Sequence, residues 1–176
     1  MTRPVTLVEP GTVRLERLLP GPVERVWSYI TESDKRARWL AAGEFDLRLG
    51  GKIRLQFDNA KLSRGEVPES HKGRGQGTFE GAITRLEPNR LLAHTWDWSE
   101  KGHGGGNTEV TYELTPKGKN VLLVITHRRM PKELVTAVMG GWDAHSAILQ
   151  DLLEGKEPRS FWTEHAKLEK EYAAAQ

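Results

Sequence analysis

The chain has 176 residues, 37% of them hydrophobic and 28% charged, and a formal net charge of +2, which suits one domain spanning 1–176 and leaves little room for two. Basic residues stand among acidic neighbours, so the sequence predicts no surface region of uniformly positive or negative electrostatic potential. Nucleic acid is therefore a poor candidate partner. The absence of cysteine excludes a disulfide framework, a thiolate metal site and a thiol nucleophile, and it fits a reducing compartment.

The N-terminal residues 1–10 carry charge and proline where a signal peptide needs an apolar segment. No stretch of the sequence approaches the roughly 18 apolar residues of a membrane-spanning helix. We therefore expect a cytoplasmic protein without membrane insertion.

The first predicted strand covers 13–19, where apolar residues alternate with charged ones. Pro20-Gly21-Pro22 ends it, and Pro22 suits the first turn of a short helix over 22–31, whose apolar residues recur at three- and four-residue spacing. Ser33 suits the N-cap of a second helical segment over 34–40.

A two-residue period returns over 44–57 with Gly50-Gly51 at its centre, which predicts a hairpin. Its first strand, 44–49, places three apolar residues on one face, namely Phe45, Leu47 and Leu49. The glycine-rich, charged stretch from Asn59 to Gly77 has no period and is predicted to be a long loop.

Four further strands are predicted at 79–83, 92–98, 110–114 and 121–125. Beyond them, apolar residues form one broad stripe from Leu134 to Leu153, which predicts a long helix of about 20 residues that packs against something large. A last helix follows Phe161, and its thin apolar stripe predicts a place on the surface.

In this order the elements predict an α+β protein in which a curved, seven-stranded antiparallel sheet grips the long C-terminal helix. The helix-grip domain covers 12–155, and a tail helix is appended over 156–176. Because the short helices after the first strand cannot fill the far end of the groove, the arrangement predicts an internal cavity between the sheet and the long helix.

Several motifs between about Val13 and Gly155 occur in a characteristic order: Pro22-x-x-x-Val26-Trp27, Ala37-Arg38-Trp39, Phe45-Asp46-Leu47-Arg48-x-Gly50-Gly51, Leu86-Glu87-Pro88-x-Arg90-Leu91 and Gly141-Trp142. Together they resemble the START-like (SRPBCC) superfamily, in particular bacterial homologues of the C-terminal domain of the activator of the heat-shock-protein-90 ATPase. The resemblance implies the helix-grip, birch-pollen-allergen-like fold. For most bacterial members it also implies binding of a lipid-like or aromatic small molecule.

Aromatic and histidine side chains are the candidate ligand-binding residues of this cavity: Trp39, His94, Trp96, Trp98, His127, Trp142 and His145. His94, Trp96 and Trp98 alternate on one strand, where they would form a ring-stacking wall with a polar group. Trp142 and His145 lie three apart on the helix face turned toward the sheet. Core packing is the competing interpretation for the tryptophans of this set and for His94. A satisfied buried or edge position is the alternative for His145, and a solvent-facing position is the alternative for His127.

No metal site and no cofactor are expected, because the histidines lack the spacing of converging zinc ligands. The sequence has no Gly-x-Ser-x-Gly nucleophile elbow, and Asp97, Asp143 and Asp151 are not paired with a reacting group. No catalytic residue is therefore assigned.

The sequence thus favours a non-enzymatic protein that holds an apolar, lipid-like or aromatic ligand in its cavity. Two alternatives stay open. One is a co-chaperone that stimulates a chaperone ATPase in a stress response, as the resemblance implies for eukaryotic relatives; the other is a cyclase- or dehydratase-like enzyme that uses the same cavity. A homodimer also stays open.

Overall fold

The computed structural model describes residues 4–62, 67–69, 72, 75–97 and 107–175. Seven strands form one antiparallel sheet: β1 (Val5–Glu9), β2 (Thr12–Pro20), β3 (Lys52–Asp58), β4 (Gln76–Glu87), β5 (Leu91–Asp97), β6 (Asn107–Lys117) and β7 (Asn120–Arg128). The α-helices are α1 (Val23–Thr31), α2 (Ser33–Arg36), α3 (Val135–Leu153) and α4 (Phe161–Ala174), and short 3₁₀ turns cover Asn59–Leu62 and Lys132–Leu134.

The strands follow the order β1-β2-β7-β6-β5-β4-β3, so all but one of the neighbouring pairs are consecutive in the chain. The exception is β2 with β7, which pair from Val13↔His127 to Pro20↔Asn120. This long-range pairing joins the first part of the chain to the last strand and leaves α3 to pack across the sheet. The predicted helix-grip fold, with its curved seven-stranded sheet, is confirmed.

One predicted strand is not formed and one observed strand was not predicted, although the total of seven is right. The segment 44–49 makes only isolated bridges, Ala42↔Gln56 and Phe45↔Ile53, and Leu47 and Leu49 beyond them are 44% and 69% exposed. The seventh strand is instead β1, which pairs with β2 at the edge of the sheet. Four of its five side chains are exposed, so its sequence carries no alternation that would predict a strand.

The predicted loop from Asn59 to Gly77 is shorter than expected in the described part of the chain. The first residues, Asn59–Leu62, form a 3₁₀ turn directly after β3, and β4 begins at Gln76. The second helix also differs, since it ends at Arg36 rather than at residue 40, and its N-cap is Glu32. Ser33 instead accepts a hydrogen bond through Oγ from the backbone N–H of Gly43, at 2.9 Å.

Arg36 fixes the chain that follows α2. Its side chain is fully buried, and its guanidinium donates to the carbonyl oxygens of Ile30 (2.9 Å), Ala41 (3.0 Å) and Gly43 while it lies 3.6 Å from the ring centroid of Phe45. Burial lowers the pKa of Arg36 to about 10, so the group stays charged at neutral pH. The carbonyl dipoles and the ring replace its water shell.

The tail helix α4 is packed against α3 rather than lying on the surface, which corrects the prediction for this segment. Its thin apolar stripe is buried along the whole helix, at Phe161, Trp162, His165, Leu168 and Tyr172. Gly140 of α3 lies against this helix, and an added Cβ there would be in ordinary van der Waals contact with the backbone nitrogen of Glu169, at 3.5 Å.

A buried polar network ties α4, α3 and β2 together around Asp143. Arg17 of β2 donates through Nη2 to Asp143 Oδ1 at 2.8 Å, and Tyr172 of α4 donates through its hydroxyl to Asp143 Oδ2 at 2.6 Å. Arg17 also donates to Ser146 Oγ (2.9 Å) and Gln150 Oε1 (2.8 Å). The carboxylate is thereby satisfied on both oxygens, as burial of a charge requires.

Candidate functional site: an aromatic cavity between sheet and helices

A cavity of about 430 Å³ lies between the sheet and the helices, within the size range of small-molecule sites. Helix α3 and the last residue of the turn before it supply one wall from residues spaced three and four apart, which lie on one helical face: Leu134, Ala137, Val138, Gly141, Trp142 and His145. Strands β3, β4, β5 and β7 supply the opposite wall through Phe57, Phe79, Trp96 and His127. Leu40, at the end of the segment that Arg36 holds, also lines it.

Helix α4 closes part of the cavity with Phe161 and His165, one helical turn apart. Phe161 packs against His145 with ring centroids 4.6 Å apart and stacks on His165 at 5.4 Å and 28°. The appended helix is therefore part of the cavity wall.

Trp96 lies at the centre of the aromatic wall. Its ring stacks on His127 (5.3 Å, 28°) and on Phe57 (5.5 Å, 27°), and it meets Phe79 and Trp142 at steeper angles of 60° and 81°. Offset stacking and edge-to-face contacts are the favoured geometries of aromatic pairs. The wall is consequently a mutually supported set of rings that face one space.

The hydrogen bonds of His127 define its protonation. Trp142 donates through Nε1 to Nδ1 of His127 (3.1 Å), so Nδ1 is an acceptor. Thr108 donates its hydroxyl to the Trp96 carbonyl (2.9 Å), which leaves Thr108 Oγ1 to accept from His127 Nε2–H (2.8 Å). Burial, aided by the nearby His94, lowers the pKa of His127 from 6.5 to about 3. His127 is thus a neutral imidazole with both ring nitrogens engaged.

His145 is also neutral, and one of its two ring nitrogens stays without a partner in the described part of the chain. Its Nδ1–H donates to the carbonyl oxygen of Trp39 at 2.7 Å, and burial lowers its pKa to about 4. Nε2 is then an acceptor, and it has no hydrogen-bond partner among the described residues. Because Arg36 holds the segment that carries Trp39, the orientation of this imidazole is fixed by α2 and the chain after it.

Four of the seven predicted ligand-binding residues line the cavity: Trp96, His127, Trp142 and His145. Trp39 and His94 do not. The indole N–H of Trp39 donates to the Tyr29 carbonyl at 2.7 Å, and His94 is held by the Thr95 carbonyl (2.9 Å) and the Tyr112 hydroxyl (3.2 Å). Both are core residues that support the wall. Trp98 lies outside the described residues.

Sequence reasoning did not select Phe57, Phe79, Asn59, Phe161 and His165, which also line the cavity. The two phenylalanines stand on the apolar faces of predicted strands, so the same alternation that selected Trp96 would have found them. Phe161 and His165 share a face of the tail helix at i and i+4 spacing. Asn59 has no such signal, because its place depends on the turn after β3.

The chemistry of the lining is aromatic and uncharged. None of the described residues that line the cavity is Asp, Glu, Lys or Arg. Across the described ranges, no cluster of three or more His, Asp or Glu side chains could hold a metal ion. The arrangement offers ring surfaces and a few hydrogen-bonding atoms, which are the features of a pocket for a small apolar molecule.

Comparison with known proteins places the chain in a family. The family described as activator of Hsp90 ATPase homolog 1-like protein matches residues 20–154. The chain belongs to this family. The resemblance seen in the sequence motifs is thereby confirmed, and the family match ends before α4. No match to the chain is found among the curated proteins.

Solved structures share the fold of this family member. The solution structure of the protein encoded by gene BPP1335 of Bordetella parapertussis is 37% identical, with a TM-score of 0.81 over 97% of this chain and 89% of that one. CalU16 from Micromonospora echinospora is 23% identical, with a TM-score of 0.67 over 93% of this chain and 86% of that one. The Aha1 dimer from Colwellia psychrerythraea is 16% identical, with a TM-score of 0.56 over 81% and 96%. At these lower identities the likeness concerns the fold alone.

Among the described residues, no helix combines the length and the apolar character needed to cross a bilayer.

Proposed function

We propose that this member of the activator of Hsp90 ATPase homolog 1-like family binds a small, mainly apolar and aromatic ligand in the cavity between the sheet and helices α3 and α4. The observation that carries the proposal is a space of about 430 Å³ lined by a supported set of rings. Large aromatic side chains that surround open volume, rather than filling it, provide stacking surfaces for a ring-bearing molecule.

The proposal is binding without catalysis. The described lining holds no carboxylate, and the lowered pKa values of His127 (about 3) and His145 (about 4) make both imidazoles weak bases. His127 in addition has both nitrogens engaged. A cyclase or dehydratase would need a stronger base within reach of the substrate proton, so the enzymatic alternative has less support.

Gly141 offers a direct test, because it lines the cavity and an added Cβ would meet nothing within 4 Å. Gly141→Leu should fill part of the cavity without disturbing the packing. We expect the neutral fluorophore N-phenyl-1-naphthylamine to bind the wild-type protein at one saturable site and the Gly141→Leu variant at least tenfold more weakly.

Gly140→Ala is the matched control, since its added Cβ would point toward α4, with its nearest neighbour at 3.5 Å. It changes the neighbouring glycine of the same helix and should bind the fluorophore as the wild type does. Absence of saturable binding to the wild type, or equal binding by Gly141→Leu, would contradict the proposal.

The family membership favours one second candidate, a co-chaperone that stimulates an Hsp90-type ATPase through its surface. The same variant separates the two functions. A surface-mediated activator should raise the ATPase rate with no small molecule present and should retain this effect in Gly141→Leu. No stimulation across a concentration series would remove this candidate.

A further inference from the structure

We propose that the cavity selects neutral aromatic ligands that carry a hydroxyl or N–H group, and that the carboxamide oxygen of Asn59 accepts the hydrogen bond from that group. This inference rests on the proposed function and adds to it the chemistry of the ligand.

The first observation is an acceptor buried beside the cavity without a partner. Asn59 lines the cavity and is only 7% exposed, and its Oδ1 has no hydrogen-bond partner among the described residues. A buried carbonyl oxygen left in this state is costly, and almost all such groups in folded proteins are satisfied. A donor on a bound ligand would satisfy it.

The second observation is that the Asn59 side chain is held in place. Its backbone N–H donates to the Gly75 carbonyl at 2.9 Å. A Cβ added at Gly75 would lie 2.8 Å from Asn59 Nδ2 and 2.9 Å from Cη2 of Trp162, so the carboxamide fits closely against Gly75 and near Trp162. An acceptor fixed in this way is preorganised for a donor, so the side chain loses little conformational entropy when a ligand binds.

The third observation concerns charge. The described lining contains no Lys or Arg to pair with a carboxylate or phosphate, and no Asp or Glu to pair with an amine. A proton on His165 would be balanced by Glu169, whose Oε2 lies 3.9 Å from Nδ1. Burying an ion without a counter-charge is strongly unfavourable. A neutral ligand therefore suits the described lining, where a fatty acid or a phosphate ester would find no counter-charge.

His145 points to the same ligand chemistry. With Nδ1–H donated to the Trp39 carbonyl, its Nε2 presents a second acceptor from the opposite wall. A phenol or an aromatic N–H compound supplies a hydrogen-bond donor, which Asn59 Oδ1 and His145 Nε2 both lack. Its ring would stack on the wall formed by Trp96 and Phe57.

The experiment compares three probes of the same ring size by isothermal titration calorimetry: 2-naphthol, its methyl ether 2-methoxynaphthalene, and the anion 2-naphthoate. We expect the wild type to bind 2-naphthol about tenfold more tightly than the ether, and 2-naphthoate the most weakly. In Asn59→Leu the two neutral probes should bind within about twofold of each other. Val138→Ala, which trims an apolar lining residue, should weaken both neutral probes and keep their ratio.

Equal affinity of the wild type for 2-naphthol and its ether overturns the inference, and this comparison needs no variant. A preference that survives in folded Asn59→Leu also overturns the assignment to Asn59. Binding of 2-methoxynaphthalene at least as tightly as 2-naphthol defeats the inference alone, whereas failure of all four compounds defeats the proposed function itself.

Discussion

The indole N–H of Trp142 donates a hydrogen bond to Nδ1 of His127 at 3.1 Å, and this contact joins helix α3 to strand β7 at the wall of the cavity. It holds the imidazole in the tautomer whose Nε2–H donates to Thr108. The relationship makes a structural prediction independent of any ligand.

Trp142→Phe keeps an aromatic ring but removes the donor. We expect the free energy of unfolding to fall by about 1–3 kcal/mol, because a buried nitrogen loses its partner. We also expect the pKa of His127 to rise, since Nδ1 becomes available to a proton. Urea denaturation and the pH titration of the imidazole NMR signals measure the two effects.

The control for this variant is Trp27→Phe, a half-buried tryptophan of α1 whose indole makes no hydrogen bond within the described part of the chain. It should cost less than about 1 kcal/mol. A Trp142→Phe variant with unchanged stability and an unchanged His127 titration would show that the contact is without consequence.

Three of the four histidines that are buried in the described part of the chain predict sensitivity to acid. Burial is the main cause that lowers the pKa of His94 to about 4, of His145 to about 4 and of His127 to about 3, below the ordinary value of 6.5. Between pH 6.5 and 4 the unfolded chain binds protons that the folded protein does not. The contribution of these histidines to the free energy of unfolding is therefore fully present above pH 6.5. It falls with decreasing pH, by about 1.4 kcal/mol per pH unit for each histidine.

Urea denaturation at a series of pH values checks this prediction. The unfolding free energy of the wild type should fall by about 4 kcal/mol per pH unit between pH 6 and 4.5, provided that it remains folded. His127→Gln should reduce that slope by about a third, whatever its effect at pH 7. A slope that the substitution leaves unchanged would mean that His127 is protonated in the folded state as well.

The Asp143 network predicts that two substitutions will lower the free energy of unfolding by different amounts. Tyr172→Phe removes one hydrogen bond to the carboxylate and should cost about 1–3 kcal/mol. Asp143→Asn removes the counter-charge of the half-buried Arg17 and should cost about 3–5 kcal/mol. Asp46→Asn, in an exposed pair with Arg48, is the control and should cost at most about 1 kcal/mol. The reverse order of the first two would contradict the assigned roles.

Arg36→Lys tests the support of the segment that carries Trp39. Lysine keeps the charge but lacks the planar fork that reaches several carbonyl oxygens at once, so we expect a loss of about 2–3 kcal/mol. Arg38→Lys, at an exposed position that makes one hydrogen bond to the Tyr29 hydroxyl, should change stability little. Thermal unfolding of both variants gives the comparison, and equal effects would show that the Arg36 fork is not required.

The sequence predicts the central strands and the long helix because their burial alternates or recurs with a fixed period. Trp96 and His127 follow from strand alternation, and Trp142 and His145 follow from one face of α3. The period fails at the edges of the sheet. β1 exposes most of its side chains, and the chain around Phe45 makes single bridges while Leu47 and Leu49 turn to solvent.

Other parts of the site depend on contacts that no local pattern contains. The stripe of α4 identifies the residues of that helix that face inward, but its burial depends on packing against α3 and on the Asp143 network of that other helix. Asn59 is placed by a turn and by Gly75, which adopts a φ of +72°. Whether Trp39 and His94 line the cavity or pack in the core likewise depends on whether each ring lies on the cavity side of the wall or behind it, which no local pattern shows.

Helix α4 begins after the residues that define the family, which end at 154, and yet it contributes Phe161 and His165 to the cavity. A chain that ended at residue 154 would keep every strand and the long helix but would lose Phe161 and His165 from the wall of the cavity. Under the proposed function, the segment that follows residue 154 therefore contributes to ligand selectivity although it lies outside the part matched by the family. Members that share residues equivalent to 20–154 and differ beyond them are expected to differ in the ligands they accept.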